Sequence, residues 1–189
     1  LDWLDQQLRD EIKASVINPG EVAPPAGMRL VGANDTDADT YPYLIITDAT
    51  QQTRAQTLAT WKTKQGLKAT VLTTATIYAA YTGADNAEKI RNCIKDYYQT
   101  KSTAYVCLIG TASLIPMRYC YDVNYDVQEG NHLVPTDNYY GCLDGTWNAD
   151  GDGYWGEYPS DNPDLGYEVY IGRIQTTTDT ALNEVIDKT

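Results

Sequence analysis

A chain of 189 residues can bury one sizeable hydrophobic core, and 42% apolar with 21% charged residues is the composition of a folding sequence, not of a disordered tail. Lys and Arg number 14 against 26 Asp and Glu, for a net charge of −12. That charge sets the chain against nucleic-acid phosphates and anionic membrane surfaces, leaves cations or neutral partners, and is joined by no apolar run near the roughly 20 residues of a membrane span.

In chain order, Leu1, Leu4, Leu8 and Ile12 recur at helical spacing and predict one amphipathic helix, stopped by Asn18-Pro19-Gly20. The polar, Pro- and Gly-bearing stretch that follows reads as a linker, so residues 1–40 are expected to be a helical arm and 41–189 the main domain. Tyr43-Leu44-Ile45-Ile46-Thr47 is a short continuous apolar run, the mark of a strand buried on both faces. A helix from Gln52 to Gln65 follows, with Ala55, Leu58, Ala59 and Trp61 on one side and Gly66 at its C′ position. Lys68 to Thr73 reads as a second strand and Thr76 to Tyr81 as a helical turn. Asp85 and Glu88 form an Asp-x-x-Glu cap for a helix with a stripe of Ala87, Ile90, Ile94, Tyr97 and Tyr98. Tyr105 to Ile109 is the third strand, closed by Gly110. Strands alternating with helices demand parallel pairing through right-handed crossovers, so the expected fold class is α/β, an open doubly wound parallel sheet with flanking helices.

Beyond Gly110 the pattern loosens. Pro116 to Tyr121 reads as extended, Asp122 to Thr136 as polar loop, Tyr139 to Leu143 as a strand, and Glu168 to Ile171 as another strand closed by Gly172-Arg173. A last helix is expected from Thr178 or Asp179, with Leu182, Val185 and Ile186 on one face. Leu1 is not a methionine, and Thr189 falls inside that helix; a processed piece of a longer precursor is therefore expected. Of the four cysteines, Cys93 and Cys107 fall on core-facing positions and read as buried thiols, whereas Cys120 with Cys142 is the more plausible bridge.

The strongest chemical signal is Asn148-Ala149-Asp150-Gly151-Asp152-Gly153. Alternating side-chain oxygens followed by glycine resemble the first half of a calcium loop, because Ca²⁺ takes six to eight oxygens and glycine permits the sharp turn that gathers them. An EF-hand needs Glu at loop position 12; counting from Asn148, that position is Pro159, so the expected cage is a non-standard one completed by Glu157 or Asp144. The competing reading is a solvated acidic turn in an acidic protein. His132, the only histidine, sits in a polar stretch and reads as a surface residue, with no feature placing a thiol beside it. The turn at Gly110-Thr111-Ala112 lies where α/β sheets hold ligands, but one glycine reads equally as a tight turn. Asp137 and Arg173, at strand edges on that same face, invite an ion pair.

Several blocks occur together in order: Trp61-Lys62-Thr63-Lys64-Gln65-Gly66, Glu88-Lys89-Ile90-Arg91-Asn92, Tyr105 through Gly110, Leu114-Ile115-Pro116, Pro135-Thr136-Asp137-Asn138-Tyr139-Tyr140, and Glu168-Val169-Tyr170-Ile171-Gly172-Arg173. From about Tyr41 onward this series resembles the N-terminal subdomain of gingipain-type cysteine peptidases, members of the caspase-like clan. The resemblance implies a caspase- or flavodoxin-like sheet that packs beside a second, downstream α/β subdomain. That second half would carry the family's dyad, a His before Gly and a Cys after a small residue. His132 precedes Leu133 and no cysteine here fits, so no catalytic residue carries over; Thr111 stands where members often have Asp. The resemblance also implies protein or peptide substrates for the intact enzyme, a secreted or cell-surface location in keeping with 16 Tyr and no Phe, and calcium as a common structural ion. The expected function is a non-catalytic scaffold for the downstream catalytic subdomain, with Ca²⁺ held by Asp144, Asn148, Asp150, Asp152 and Glu157. The alternatives are a calcium-dependent extracellular binding module without peptidase activity, and a small-molecule enzyme using the cleft above Gly110.

Overall fold

The apolar run at residues 43–47 forms β1 (Tyr43–Thr47), and its position explains its composition: it is an inner strand, covered on both faces. The computed structural model describes residues 39–122 and 132–188. The expected N-terminal helix and all but the last two residues of its linker lie outside the described residues. From β1 the chain passes through a short 3₁₀ turn (Ala49–Gln51) into α1 (Gln52–Lys64), β2 (Ala69–Thr73), α2 (Thr74–Ala80), α3 (Asn86–Lys101) and β3 (Tyr105–Ile109). There follow the hairpin β4 (Arg118–Tyr121) and β5 (Leu133–Thr136), the single turn α4 (Asn138–Gly141), and the short ladder β6 (Gly145–Thr146) with β7 (Asn162–Pro163). The fold closes with β8 (Tyr170–Ile174) and α5 (Asp179–Ile186).

The main sheet runs β2-β1-β3-β8, all parallel. Alternation of side chains across the pleat divides the core into two layers. Leu44, Ile46, Val106 and Leu108 meet Ile77 of α2 and Ala87, Ile90, Cys93 and Ile94 of α3 on one face. Ile45, Cys107 and Ile109 meet Ala55, Leu58 and Ala59 of α1 and Leu182 of α5 on the other. Each fully buried Ile or Leu contributes about 2–3 kcal/mol from water exclusion, which is why the continuous apolar runs, and not propensity, decide which segments become inner strands.

The cap of α3 forms with a variation. Asp85 Oδ1 accepts from Glu88 N–H at 2.9 Å, while the Glu88 carboxylate accepts from Ala84 N–H, one residue before the usual partner. Gly66 takes the left-handed conformation after α1, φ +91°.

Several expectations fail. Residues 139–143 are not a strand: Cys142 N–H donates to Asn138 O and closes a helical turn. Tyr139, Tyr140, Cys142 and Leu143 all belong to one buried cluster, and an extended chain would send neighbours to opposite faces. Leu133–Thr136 is not loop but pairs antiparallel with β4. The last parallel strand is displaced, Tyr170–Ile174 instead of 168–171, because its register with β3 opposes Tyr170 to Tyr105 and Ile174 to Ile109; Gly172 and Arg173 lie within it. Val185 is 38% exposed, whereas Leu182 is buried and Ile186 packs beside it. The bridge between Cys120 and Cys142 is also absent: both are free thiols, as are Cys93 and Cys107. No helix among the described residues is long and apolar enough to cross a membrane.

Candidate functional site

Two constellations stand out, one at the carboxyl edge of the sheet and one on the acidic loop. At the edge, Arg173 of β8 donates from Nε and Nη2 to the two oxygens of Asp137, each at 2.7 Å, and from Nη1 to Gly110 O and Ile115 O, each at 2.9 Å. The expected ion pair exists, and it ties β8, the turn after β3 and the segment leading into α4 into one unit. Gly110 has φ +141°, and a Cβ there would come within 3.1 Å of Leu114 Cβ, so glycine is required at this turn. Thr111 Oγ1 bonds Ser113 Oγ at 2.9 Å. Close by, Gln51 Nε2 donates to Thr176 Oγ1 at 2.9 Å and Thr47 Oγ1 to Ile109 O at 3.2 Å, joining the ends of β1, β3 and β8.

None of the four thiols is an activated nucleophile. Burial pushes Cys93 up to about 12, and Cys107, Cys120 and Cys142 up to about 11; an attacking cysteine needs the opposite shift. The His132 ring is half-buried and packs on Tyr121, 5.4 Å between centroids.

The acidic loop spans residues 147–161, closed at its base by the β6–β7 ladder. Gly145 is fixed there by geometry: φ is +71° and a Cβ would lie 2.5 Å from Asp164 N. The single organiser of the loop is Asp161, only 3% exposed. Its Oδ1 accepts from Ala149 N–H, and its Oδ2 from Gly156 N–H at 2.7 Å and Glu157 N–H at 3.1 Å. Trp155 stacks under the Arg118 guanidinium at 3.5 Å, and Arg118 forms a bidentate pair with Asp85, 2.7 and 2.9 Å, at the cap of α3. Burial alone would raise the Asp85 carboxyl, but the hydrogen bonds from Arg118 and from Glu88 N–H hold it below the usual carboxylate range.

The five expected calcium ligands divide into two places. Asp150, Asp152 and Glu157 bring carboxylate oxygens within 4.8 Å of one another. Asn148 belongs with them through its Nδ2 bond to Asp152 O at 3.1 Å. Asp144 instead joins Asp164 and Glu168. That second group is already served by protein donors: Lys95 Nζ at 3.5 Å from Asp144, Leu143 N–H on Glu168 and Gly166 N–H on Asp164. The first group also accepts backbone donors, Asp152 N–H on Asp150 Oδ1 at 3.3 Å and Tyr154 N–H on Asp152 Oδ1 at 2.6 Å, but it pairs with no Lys or Arg among the described residues. The Oδ1 of Asn148 is buried there without a partner. Sequence reading missed Asp161 because nothing in linear spacing distinguishes a carboxylate that grips backbone from one that faces solvent.

A family model described as peptidase family C25 matches residues 36–189. Among solved structures, the crystal structure of the Arg-specific cysteine proteinase gingipain R is similar at 22% identity and TM-score 0.53, over 81% of this chain and 28% of that one. The complex of Porphyromonas gingivalis RgpB pro- and mature domains is similar at 21% identity and TM-score 0.52, over 77% and 27%. The chain thus spans little more than a quarter of the length of these structures. No curated protein matches.

Proposed function

The chain belongs to peptidase family C25, the gingipain family, and from that premise we propose that it is the non-catalytic N-terminal α/β subdomain of a secreted or cell-surface cysteine endopeptidase. Its task is to present a rigid sheet edge against a downstream catalytic subdomain. In the intact enzyme a thiolate would attack a peptide carbonyl and an imidazole would move the proton; both groups would come from that second subdomain. The observation that carries this reading is where the thiols lie: Cys93, Cys107 and Cys142 are buried in the hydrophobic core, while the His132 ring packs on Tyr121. What this chain adds is the Arg173 clamp, which holds three segments of the sheet edge in one arrangement. The test compares thiol-dependent peptide cleavage by the chain alone and by the full-length precursor. Cleavage by the precursor alone is expected; cleavage by this chain alone overturns the proposal.

We further propose that Asn148, Asp150, Asp152 and Glu157 hold a calcium ion that stabilises the loop. The residues fit the ion: three carboxylates converge without a protein cation, and the orphaned Asn148 Oδ1 lacks the donor or cation that burial requires. Calorimetry at millimolar Ca²⁺ would register binding, and anomalous scattering would locate it; no heat and no ion at the loop would end this reading. A calcium-dependent binding module is the second reading, and it draws on the same convergence of Asp150, Asp152 and Glu157.

A further inference from the structure

The two most exposed large apolar side chains among the described residues border one cleft. Tyr158 is 92% exposed and Leu165 68%. The cleft measures about 390 Å³, lies between the β4–β5 hairpin and the acidic loop, and is walled further by Cys120, Gly156 and Pro163. Apolar side chains held in water beside an apolar recess mark a surface that something else covers, because each gains by leaving water.

The chemistry of the walls excludes several occupants. Among the described residues that line the cleft, Asp161 is the only charged one, and both its oxygens are engaged by backbone N–H groups. No Lys or Arg among them can hold a phosphate or a carboxylate. The Cys120 thiol, pushed up to about 11 by burial, is uncharged at neutral pH. An apolar side chain suits these walls. A second copy of this chain does not: a two-fold contact here would set acidic loop against acidic loop, between molecules of net charge −12.

The position of the cleft points to its occupant. Thr136 and Asn138 line it, and they flank Asp137, which Arg173 holds at the carboxyl edge of the sheet. Thr136 Oγ1 also accepts from Asn138 N–H at 3.1 Å, so this wall belongs to the clamped unit. The cleft is thereby continuous with the edge against which the downstream subdomain is proposed to pack. The chain spans little more than a quarter of its solved relatives, which leaves most of such a protein to supply a covering side chain. Resting on that reading, we propose that the cleft is the socket for an apolar side chain of the downstream catalytic subdomain, with Tyr158 and Leu165 buried around it when the two halves pack.

The experiment follows labelling of Cys120 by a small maleimide, mapped by mass spectrometry, in the chain alone and in the full-length precursor. Cys120 is half-buried in the chain and should lose most of its labelling in the precursor. Heat stability is measured alongside, with Leu165→Asp and Leu165→Met. Because Leu165 is largely exposed, neither variant should move the urea midpoint of the chain alone. In the precursor Leu165→Asp should lower the melting temperature by about 4–8 °C, what losing one buried leucine costs a domain of roughly 200 residues, and Leu165→Met, which stays apolar, should not. A Leu165→Asp precursor that melts where the unaltered one does overturns the inference. So does a dimer of the chain alone, seen by sedimentation and dissolved by Leu165→Asp, since the cleft then belongs to a second copy. A precursor that shields Cys120 yet shows no thiol-dependent cleavage supports the socket and overturns only the catalytic reading; one that cleaves while Cys120 labels as in the chain alone does the reverse.

Discussion

Arg173 and Asp137, 36 positions apart, face each other through two N–H···O bonds of 2.7 Å, with side chains only 4% and 18% exposed. The remaining donor of the fork reaches two backbone carbonyls. A planar five-donor group satisfies this geometry and an ammonium does not. Arg173→Lys should therefore destabilise the chain, and Arg173→Ala should cost about 3–5 kcal/mol, because it leaves Asp137 half-buried and unpaired. Equilibrium urea unfolding measures both; a loss under 1 kcal/mol for the alanine variant would show that the clamp is dispensable.

Asp161 holds the acidic loop through three backbone N–H groups. Asp161→Ala should cost about 1–3 kcal/mol, the penalty of stranding buried donors. It should also weaken calcium, although Asp161 is not among the proposed ligands. In the unaltered chain, calcium at a hundred times its dissociation constant should add about 2.7 kcal/mol. Thermal unfolding with calcium and with EGTA reads both effects.

Asp85 predicts the response to acid. Its folded-state pKa lies below the unfolded value, so its contribution is fully present above about 3.9 and is lost as pH falls through the depressed value. Arg118→Met removes the partner and should flatten the acid limb of the stability profile below about pH 4. An unchanged acid limb in that variant would mean that the pair does not set it.

The thiols predict the response to base, with the opposite sign. Their folded pKa values, about 11 to about 12, exceed the roughly 8.5 of a free cysteine. The stabilisation is complete below about 8.5 and disappears as pH rises toward 11. At pH 8 a thiol reagent should label the native chain far more slowly than the urea-unfolded chain. A single cysteine reacting at the unfolded rate or faster would identify an activated nucleophile and contradict the scaffold reading.

The parts that sequence reading recovered are those where one local rule and the global fold agree. The run at 43–47 could be read as an inner strand because burial on both faces leaves an uninterrupted apolar string. Asp85 could be read as a cap because its partner, Glu88, is three residues away. Residues 139–143 misled for the same reason in reverse. Two adjacent tyrosines suit a strand locally, but Tyr139 serves Arg91 and Arg118 while Tyr140 reaches the carbonyl of Pro116, and only a helical turn serves both. The calcium ligands show a similar division. Alternation marked Asn148, Asp150 and Asp152, whereas the placement of Asp144 beside Asp164 and Glu168 depends on where the β6–β7 ladder folds the chain back.

By itself the amino-acid sequence determined the parallel α/β core, the helix cap and the position of the acidic loop, since each follows from short-range periodicity or from burial that a strand records along its own length. The tertiary structure alone decided which thiols stay reduced and protonated, which carboxylates converge and which aromatic rings meet guanidinium groups. Most of those relationships join residues tens of positions apart, as Asp144 with Asp164 or Arg118 with Trp155, and their energies come from desolvation and distance, neither of which exists until the chain has folded.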